Sequence, residues 1–306
     1  MCIERVALLS AVGLTALVTA AGGASAPTRP AVIRNGLIAF GSNRTTQRNE
    51  EIYVMNADGT GERRLMTSPG HDSGPVWSPD GKRLAFFSHR GGNTDIYVMN
   101  ADGSGVRRVT RSPAYDFTPT WSPDGRRLAF LRFPAAEGPH PSDLFVVDVA
   151  SGGEQRVARV RGAAPDPMWS PDGRTIAFSG NYGIYLIDVD GTGLRRLTKS
   201  PYGPGWDTQP AWSPDGRRIA YVSAGSSTPP GIYLMNADGT GKRRLTFGRS
   251  GDGDPAWSPD GRKILFTCQA GQVSDVCVVG ADGKGRLRLT EDEAENRDPS
   301  WQPLAG

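Results

Sequence analysis

The chain has 306 residues, among them 40 glycines, 24 prolines, 7 tryptophans and 3 cysteines. Its 35 basic and 32 acidic residues leave a formal net charge of +3, too near balance for the basic footprint of a nucleic-acid-binding protein. Three cysteines exclude a miniprotein built on a disulfide framework, and so many glycines and prolines imply many tight turns between many short strands.

In chain order, the first element is an export segment. Arg5 precedes an apolar stretch from Val6 to Ala21, and Ala24 and Ala26 form an A-x-A cleavage pattern ahead of Pro27. The apolar stretch is shorter than the roughly 20 residues that cross a bilayer. Residues 1–26 are therefore expected to be a signal peptide, 27–35 a linker and 36–306 the folded domain. A retained N-terminal anchor is the alternative. No other apolar run reaches membrane length, so an exported, soluble monomer with no membrane span after cleavage is expected.

From Gly36 onward the sequence repeats, the feature to test before any other. Ile38-Ala39-Phe40 leads, then Ile52-Tyr53-Val54-Met55, then a short element ending near Leu65. The string W-S-P-D-G then begins at Trp77, Trp121, Trp169, Trp212 and Trp257, and a degenerate copy at Trp301 closes the chain. After each complete copy the same three elements recur: Leu84-Ala85-Phe86, Ile96-Tyr97-Val98-Met99 and a stretch ending near Val109 in the first case. All are β-rich and bounded by turn residues. Ser-Pro-Asp-Gly suits a type I turn, with proline pre-setting φ at the second position. Ala-Asp-Gly-Thr-Gly, from Ala57 to Gly61, supplies the left-handed residues of a hairpin loop.

Each unit thus reads as a four-stranded antiparallel meander of 43 to 48 residues. One such unit cannot bury both faces, whereas a radial stack of them can. The N-terminus supplies strands two to four of a first blade, and the orphan strand Asp298-Pro299-Ser300-Trp301 supplies its first. The expected fold is all-β: a six-bladed propeller closed by the C-terminal strand, with the six repeat tryptophans packed between blades. The pattern P-x-W-S-P-D-G, I-A-F, D-I-Y-x-M-N-A-D-G-T-G and R-R-L-T resembles the TolB-like propeller repeat, a WD-like repeat in its Pro-Asp variant, over residues 36–303. The resemblance implies a propeller without the separate N-terminal domain of TolB, since nine residues separate Ala26 from Gly36. Propellers of this repeat family often precede an α/β-hydrolase peptidase domain; with three residues after Pro303, none is expected here.

Chemistry is expected on the face with variable connections, because variable loops on a rigid scaffold carry most binding sites. On that face Asp-x-x-Pro recurs with Asp72, Asp116, Asp207 and Asp252, while Asp166, Asp254 and Asp298 directly precede prolines. A propeller would gather such residues around the mouth of its channel as a cation-attracting funnel for a basic partner segment, Ca²⁺ or another divalent cation. The plainer reading has each aspartate accepting loop hydrogen bonds. Tyr202 and Trp206 form an aromatic pair suited to anchoring a partner. His71, His89 and His140 all fall in variable-face loops; His71 and His89, with Asp72, are the candidate metal ligands. Cys268 and Cys277 flank one hairpin loop and could face each other as a disulfide in an oxidising compartment. The arginine pairs 63–64, 107–108, 195–196 and 243–244 are spread around the outer strands as edge protection, a further reason to expect no nucleic-acid binding. G-x-S-x-G, H-E-x-x-H and P-loop motifs are absent.

The leading expectation is an exported, non-enzymatic propeller binding a protein or peptide partner in the cell envelope. The alternative is a metal-dependent lyase or hydrolase acting on a carbohydrate or lactone at the channel mouth.

Overall fold

The computed structural model describes residues 33–46, 49–135, 141–160, 166–199, 205–225, 227–247 and 251–305. Twenty-four strands, numbered along the chain, form six four-stranded antiparallel sheets among these residues. Five sheets are consecutive meanders. The sixth joins the two ends of the described chain: β24 (Asn296–Ala305) pairs with β1 (Ile33–Thr46), followed by β2 (Asn49–Met55) and β3 (Arg63–Arg64). The six-bladed propeller and its closing strand are thus as the repeat implies. The proposed signal peptide and most of the linker lie outside the described residues. The linker's end does not, because β1 begins at Ile33 and pairs Ile33 with Ala305.

The turns follow from their residues. In Ser78-Pro79-Asp80-Gly81 the Gly81 N–H donates to the Ser78 carbonyl at 2.8 Å, closing the type I turn. Ser78 Oγ donates to Asp80 Oδ1 and accepts from the Arg83 N–H at 2.9 Å. The same bonds recur at Ser122, Ser170, Ser213 and Ser258. Each turn is therefore cross-braced by its own side chains, which fixes the register of the two strands it joins.

The blades bury their faces against one another. Ala39, Ile52, Val54 and Leu65 of blade one pack on Trp77, Leu84, Phe86, Tyr97 and Met99 of blade two. Ring closure uses the same chemistry, with Ile38, Phe40, Tyr53 and Trp301 packed on Leu265, Val276 and Val278 of blade six. Five of the repeat tryptophans are buried and Trp212 is half-buried. Trp121 Nε1 donates to the Val76 carbonyl and Trp257 Nε1 to the Ala211 carbonyl, both at 3.1 Å and both in the preceding blade. Arginines from the preceding blade cover three of these rings, with Arg83, Arg127 and Arg218 at 4.6, 4.9 and 4.7 Å from the centroids.

The outermost strand of a blade is two residues long in five cases, which leaves little free edge. Blade three differs: its outer strand β11 (Glu154–Val160) has seven residues and a register shift, and carries Glu154, Arg156 and Arg159. A bulge and charged residues protect that longer edge instead.

Candidate functional site

The first strands of the blades surround a central cavity of about 170 Å³. They are β4 (Asp72–Trp77), β8 (Tyr115–Trp121), β12 (Met168–Trp169), β16 (Trp206–Trp212), β20 (Asp252–Trp257) and β24. The residue before the proline lines it in every blade: Gly74, Thr118, Asp166, Gln209, Asp254 and Asp298. Proline bars the residue before it from the right-handed helical region. Five of the six instead adopt left-handed backbone, with φ of 60° at Gly74, 49° at Thr118, 54° at Gln209, 50° at Asp254 and 53° at Asp298. Each of these five sits at a register shift against the second strand of its blade. The bulge turns the pre-proline side chain toward the channel. For a residue with a Cβ this costs about 1–2 kcal/mol, strain of the kind that collects at binding sites.

Three of the six positions are carboxylates, and they perturb one another. Burial and the Asp254 carboxylate push Asp166 up to about 7. Asp254 is raised chiefly by burial, offset in part by Thr267, Arg297 and Gln209. Asp298 is raised well above the ordinary carboxylate range by burial, then by Asp254, Glu50 and Asp166. Like charges held this close resist simultaneous ionisation.

A hydrogen-bonded relay reaches from the variable face into this cavity. His71 Nε2 lies 3.3 Å from Glu50 Oε2, and Ser73 Oγ lies 2.8 Å from Glu50 Oε1 and 3.3 Å from Asp298 Oδ2. The bond to Glu50 raises the His71 pKa against the opposing effect of burial. Glu50, Ser73, Thr118 and Gln209 all escaped the motif reading. The signal for Thr118 and Gln209 was present, since both stand immediately before the repeat proline. Glu50 and Ser73 carry no recurring signature.

The Asp-x-x-Pro aspartates sit elsewhere than expected. Asp72, Asp116, Asp207 and Asp252 are buried and do not line the cavity. The bulge between them and the proline turns the pre-proline residue inward in their stead. Three of them neutralise arginines: Asp72 with Arg90 at 3.0 Å, Asp116 with Arg132 at 2.7 Å and Asp252 with Arg286 at 3.0 Å. Their partners are thus guanidinium groups, where loop amides were expected. Among the described residues Asp207 has no such partner, and its Oδ1 is buried without a hydrogen bond.

The proposed metal set does not converge. Both oxygens of Asp72 are held by Arg90 at 3.0 Å. His89 Nδ1 lies 3.1 Å from Thr94 Oγ1, and His71 is turned to Glu50. Among the described residues no group of three or more His, Cys, Asp or Glu side chains is placed to hold a metal ion. His140 and Tyr202 lie outside the described residues. Trp206 opens β16 and is 38% exposed. Cys268 and Cys277 form a disulfide with Cα atoms 5.8 Å apart. They do not sit opposite each other: Cys268 faces Asp275 and Cys277 faces Phe266, so the bond runs diagonally between strands.

Six four-stranded blades around a central cavity, with three carboxylates and a ring of prolines in its lining, define a β-propeller. The TolB beta propeller domain family matches residues 35–137 and 110–305, and the chain belongs to that family. A 45-residue stretch is 44% identical to the Protein TolB homolog of Chlorobium luteolum, covering 15% of this chain and 10% of that one. A 56-residue stretch is 32% identical to dipeptidyl-peptidase 5 of Porphyromonas gingivalis, covering 18% and 8%. The matched stretches thus span a tenth or less of these curated relatives. The crystal structure of TolB from Acinetobacter baumannii superposes with a TM-score of 0.77 at 22% identity, over 87% of this chain and 66% of that one.

Proposed function

We propose that this chain is an exported, non-enzymatic propeller that binds a protein partner through its variable face, with a basic segment of the partner entering the acidic channel mouth. The observation that carries this reading is the convergence of Asp166, Asp254 and Asp298 on one cavity, two of them on strained backbone. A cationic side chain would relieve both their mutual repulsion and their desolvation. Membership of the TolB propeller family supports a scaffold role. Export rests on the sequence of residues 1–26 and on the Cys268–Cys277 disulfide, which persists in oxidising compartments. No helix among the described residues is long and apolar enough to cross a membrane.

The geometry gives the lyase or hydrolase alternative no specific support, because its candidate ligands are committed to Arg90, Thr94 and Glu50. Site-directed photo-crosslinking in the native envelope tests the proposal. A photoreactive residue at Thr118, in the channel mouth, should capture a discrete protein. The same group at Asp58, in a turn of the opposite face, should not. Equal capture from both positions, or none from Thr118, would overturn the reading.

A further inference from the structure

The blades differ in how they neutralise their arginines. The residue that opens the conserved core of the third strand is a carboxylate in four blades, at Glu51, Asp95, Asp143 and Asp275. In blades two and six it pairs with the second arginine of the fourth strand, Arg108 with Asp95 and Arg288 with Asp275, both at 2.6 Å. In blades four and five that position is glycine, Gly183 and Gly231, while the arginines remain as Arg196 and Arg244.

Among the described residues these two arginines make hydrogen bonds only to carbonyls. Arg196 donates to Thr198 at 2.6 Å and Asn181 at 3.3 Å, and Arg244 to Thr246 at 2.7 Å and Pro229 at 3.3 Å. Asn181 lies in the connection between strands two and three of blade four, and Pro229 near the start of β18 (Thr228–Asn236), so both guanidinium groups lie toward the variable face. A Cβ on Gly183 would meet Arg196 nitrogens at 2.9 Å, and one on Gly231 would meet Arg244 Nη2 at 2.8 Å. The arginines thus lean into the room that the missing side chains vacate. No Asp or Glu occurs in the nearby segments 197–206, 225–231 and 245–251. Among the described residues neither guanidinium forms a salt bridge, whereas Arg108 and Arg288 do.

Among the described residues the same sector carries three of the four exposed aromatic side chains: Tyr182 at 65%, Trp206 at 38% and Phe247 at 75%. Tyr182 shares a two-residue turn with Asn181, and both are left-handed, at φ 64° and 41°. A bulky residue in that region is strained, and its ring stands in solvent. Arg244 already lies over the Phe247 ring at 5.5 Å, and exposed aromatics together with arginines that hold no salt bridge have the composition of an interface centre.

We propose that the sector formed by blades four and five binds an acidic, extended segment of a protein partner. Its carboxylates would pair with Arg196 and Arg244 as Asp95 and Asp275 do within their own blades. Its apolar residues would pack on Tyr182, Trp206 and Phe247. This rests on the reading of the variable face as the binding face, and adds to the channel mouth a second, oppositely charged contact.

A phage-displayed library of random 12-residue peptides, selected on the immobilised protein, provides the test. Enriched peptides should carry net negative charge with aromatic or aliphatic residues. Their affinity should fall about tenfold or more in the Arg196→Gln/Arg244→Gln variant and stay unchanged in Arg63→Gln, with melting temperatures preserved in both. The proposal is overturned if nothing is enriched, if the enriched peptides are neutral or basic, or if acidic ones ignore the double substitution. Basic peptides that depend on Asp254 and Asp298 would sustain the channel reading while refuting this one. Acidic peptides lost with Arg196 and Arg244 would sustain this one even where the channel binds nothing.

Discussion

Gln209 and Asp254 hold each other across the boundary between blades five and six. The Asp254 N–H donates to Gln209 Oε1 at 3.0 Å, and Gln209 Nε2 donates back to Asp254 Oδ1. Both residues are left-handed and both precede a proline. This reciprocal pair keeps a strained carboxylate pointed at the channel, and it favours the ionised form of Asp254 against burial. Gln209→Ala removes both bonds and strands the Asp254 amide. Urea denaturation should show a loss of about 1–3 kcal/mol. An unchanged midpoint would mean that the pair does not hold the mouth together.

The channel carboxylates impose a pH dependence of known sign. Asp166 rises from 3.8 to about 7 on folding. Between these values the folded chain keeps a proton that the unfolded chain releases. The group therefore favours folding below pH 3.8, and that contribution is lost as pH rises through 7. Asp166→Asn abolishes the loss. The variant should match wild type near pH 3.5 and exceed it near pH 8 by about 1–2 kcal/mol, less than the full shift implies because the carboxyl is part-exposed and solvent screens it. Thermal melts across this range decide the matter. A variant less stable than wild type at pH 8 would reverse the sign.

Asp116 and Arg132 form a buried bidentate pair, at 2.7 Å for Nε to Oδ1 and 2.9 Å for Nη2 to Oδ2. Burial raises the Asp116 pKa even with the guanidinium in place, so a bare carboxylate there would be costly. Arg132→Met should destabilise by about 3–5 kcal/mol, and adding Asp116→Leu should recover much of it. The double-mutant cycle by chemical denaturation measures this. Additive losses would show that the two residues act independently.

The Cys268–Cys277 bond closes a short loop on the last blade, with a sequence separation of 9. Replacing both cysteines with serine should cost about 2–3 kcal/mol through the freed unfolded chain. Thiol titration of the denatured, unreduced full chain should count one thiol, that of Cys2. Three thiols would reject the bond.

The fold was legible because its signals are local and repeated. Each Ser-Pro-Asp-Gly turn is held by its own serine and aspartate, so one copy predicts the next. Ring closure followed from an orphan strand at Trp301. The site was less legible because it depends on a two-residue displacement. Asp72 and Asp254 look alike in sequence, each an acid shortly before a proline. The bulge sends Asp254 into the channel and leaves Asp72 on Arg90, and sequence spacing alone does not register a bulge. Gln209 and Thr118 carry no charge to mark them in the sequence, whereas backbone position selects the lining. The unpaired Arg196 and Arg244 became visible only once strand register identified Gly183 and Gly231 as the places where an acid is missing.

The claim that the acidic channel mouth receives a basic segment is tested most directly by fluorescence anisotropy with a labelled Lys/Arg-rich 12-residue peptide, using wild type and Asp254→Asn/Asp298→Asn. Wild type should bind with an affinity that weakens as salt is raised, because salt ions screen the attraction between the approaching peptide and the mouth beyond about 8 Å at physiological ionic strength. The variant should lose about tenfold or more of that affinity while remaining folded. Equal binding by wild type and variant would contradict the account.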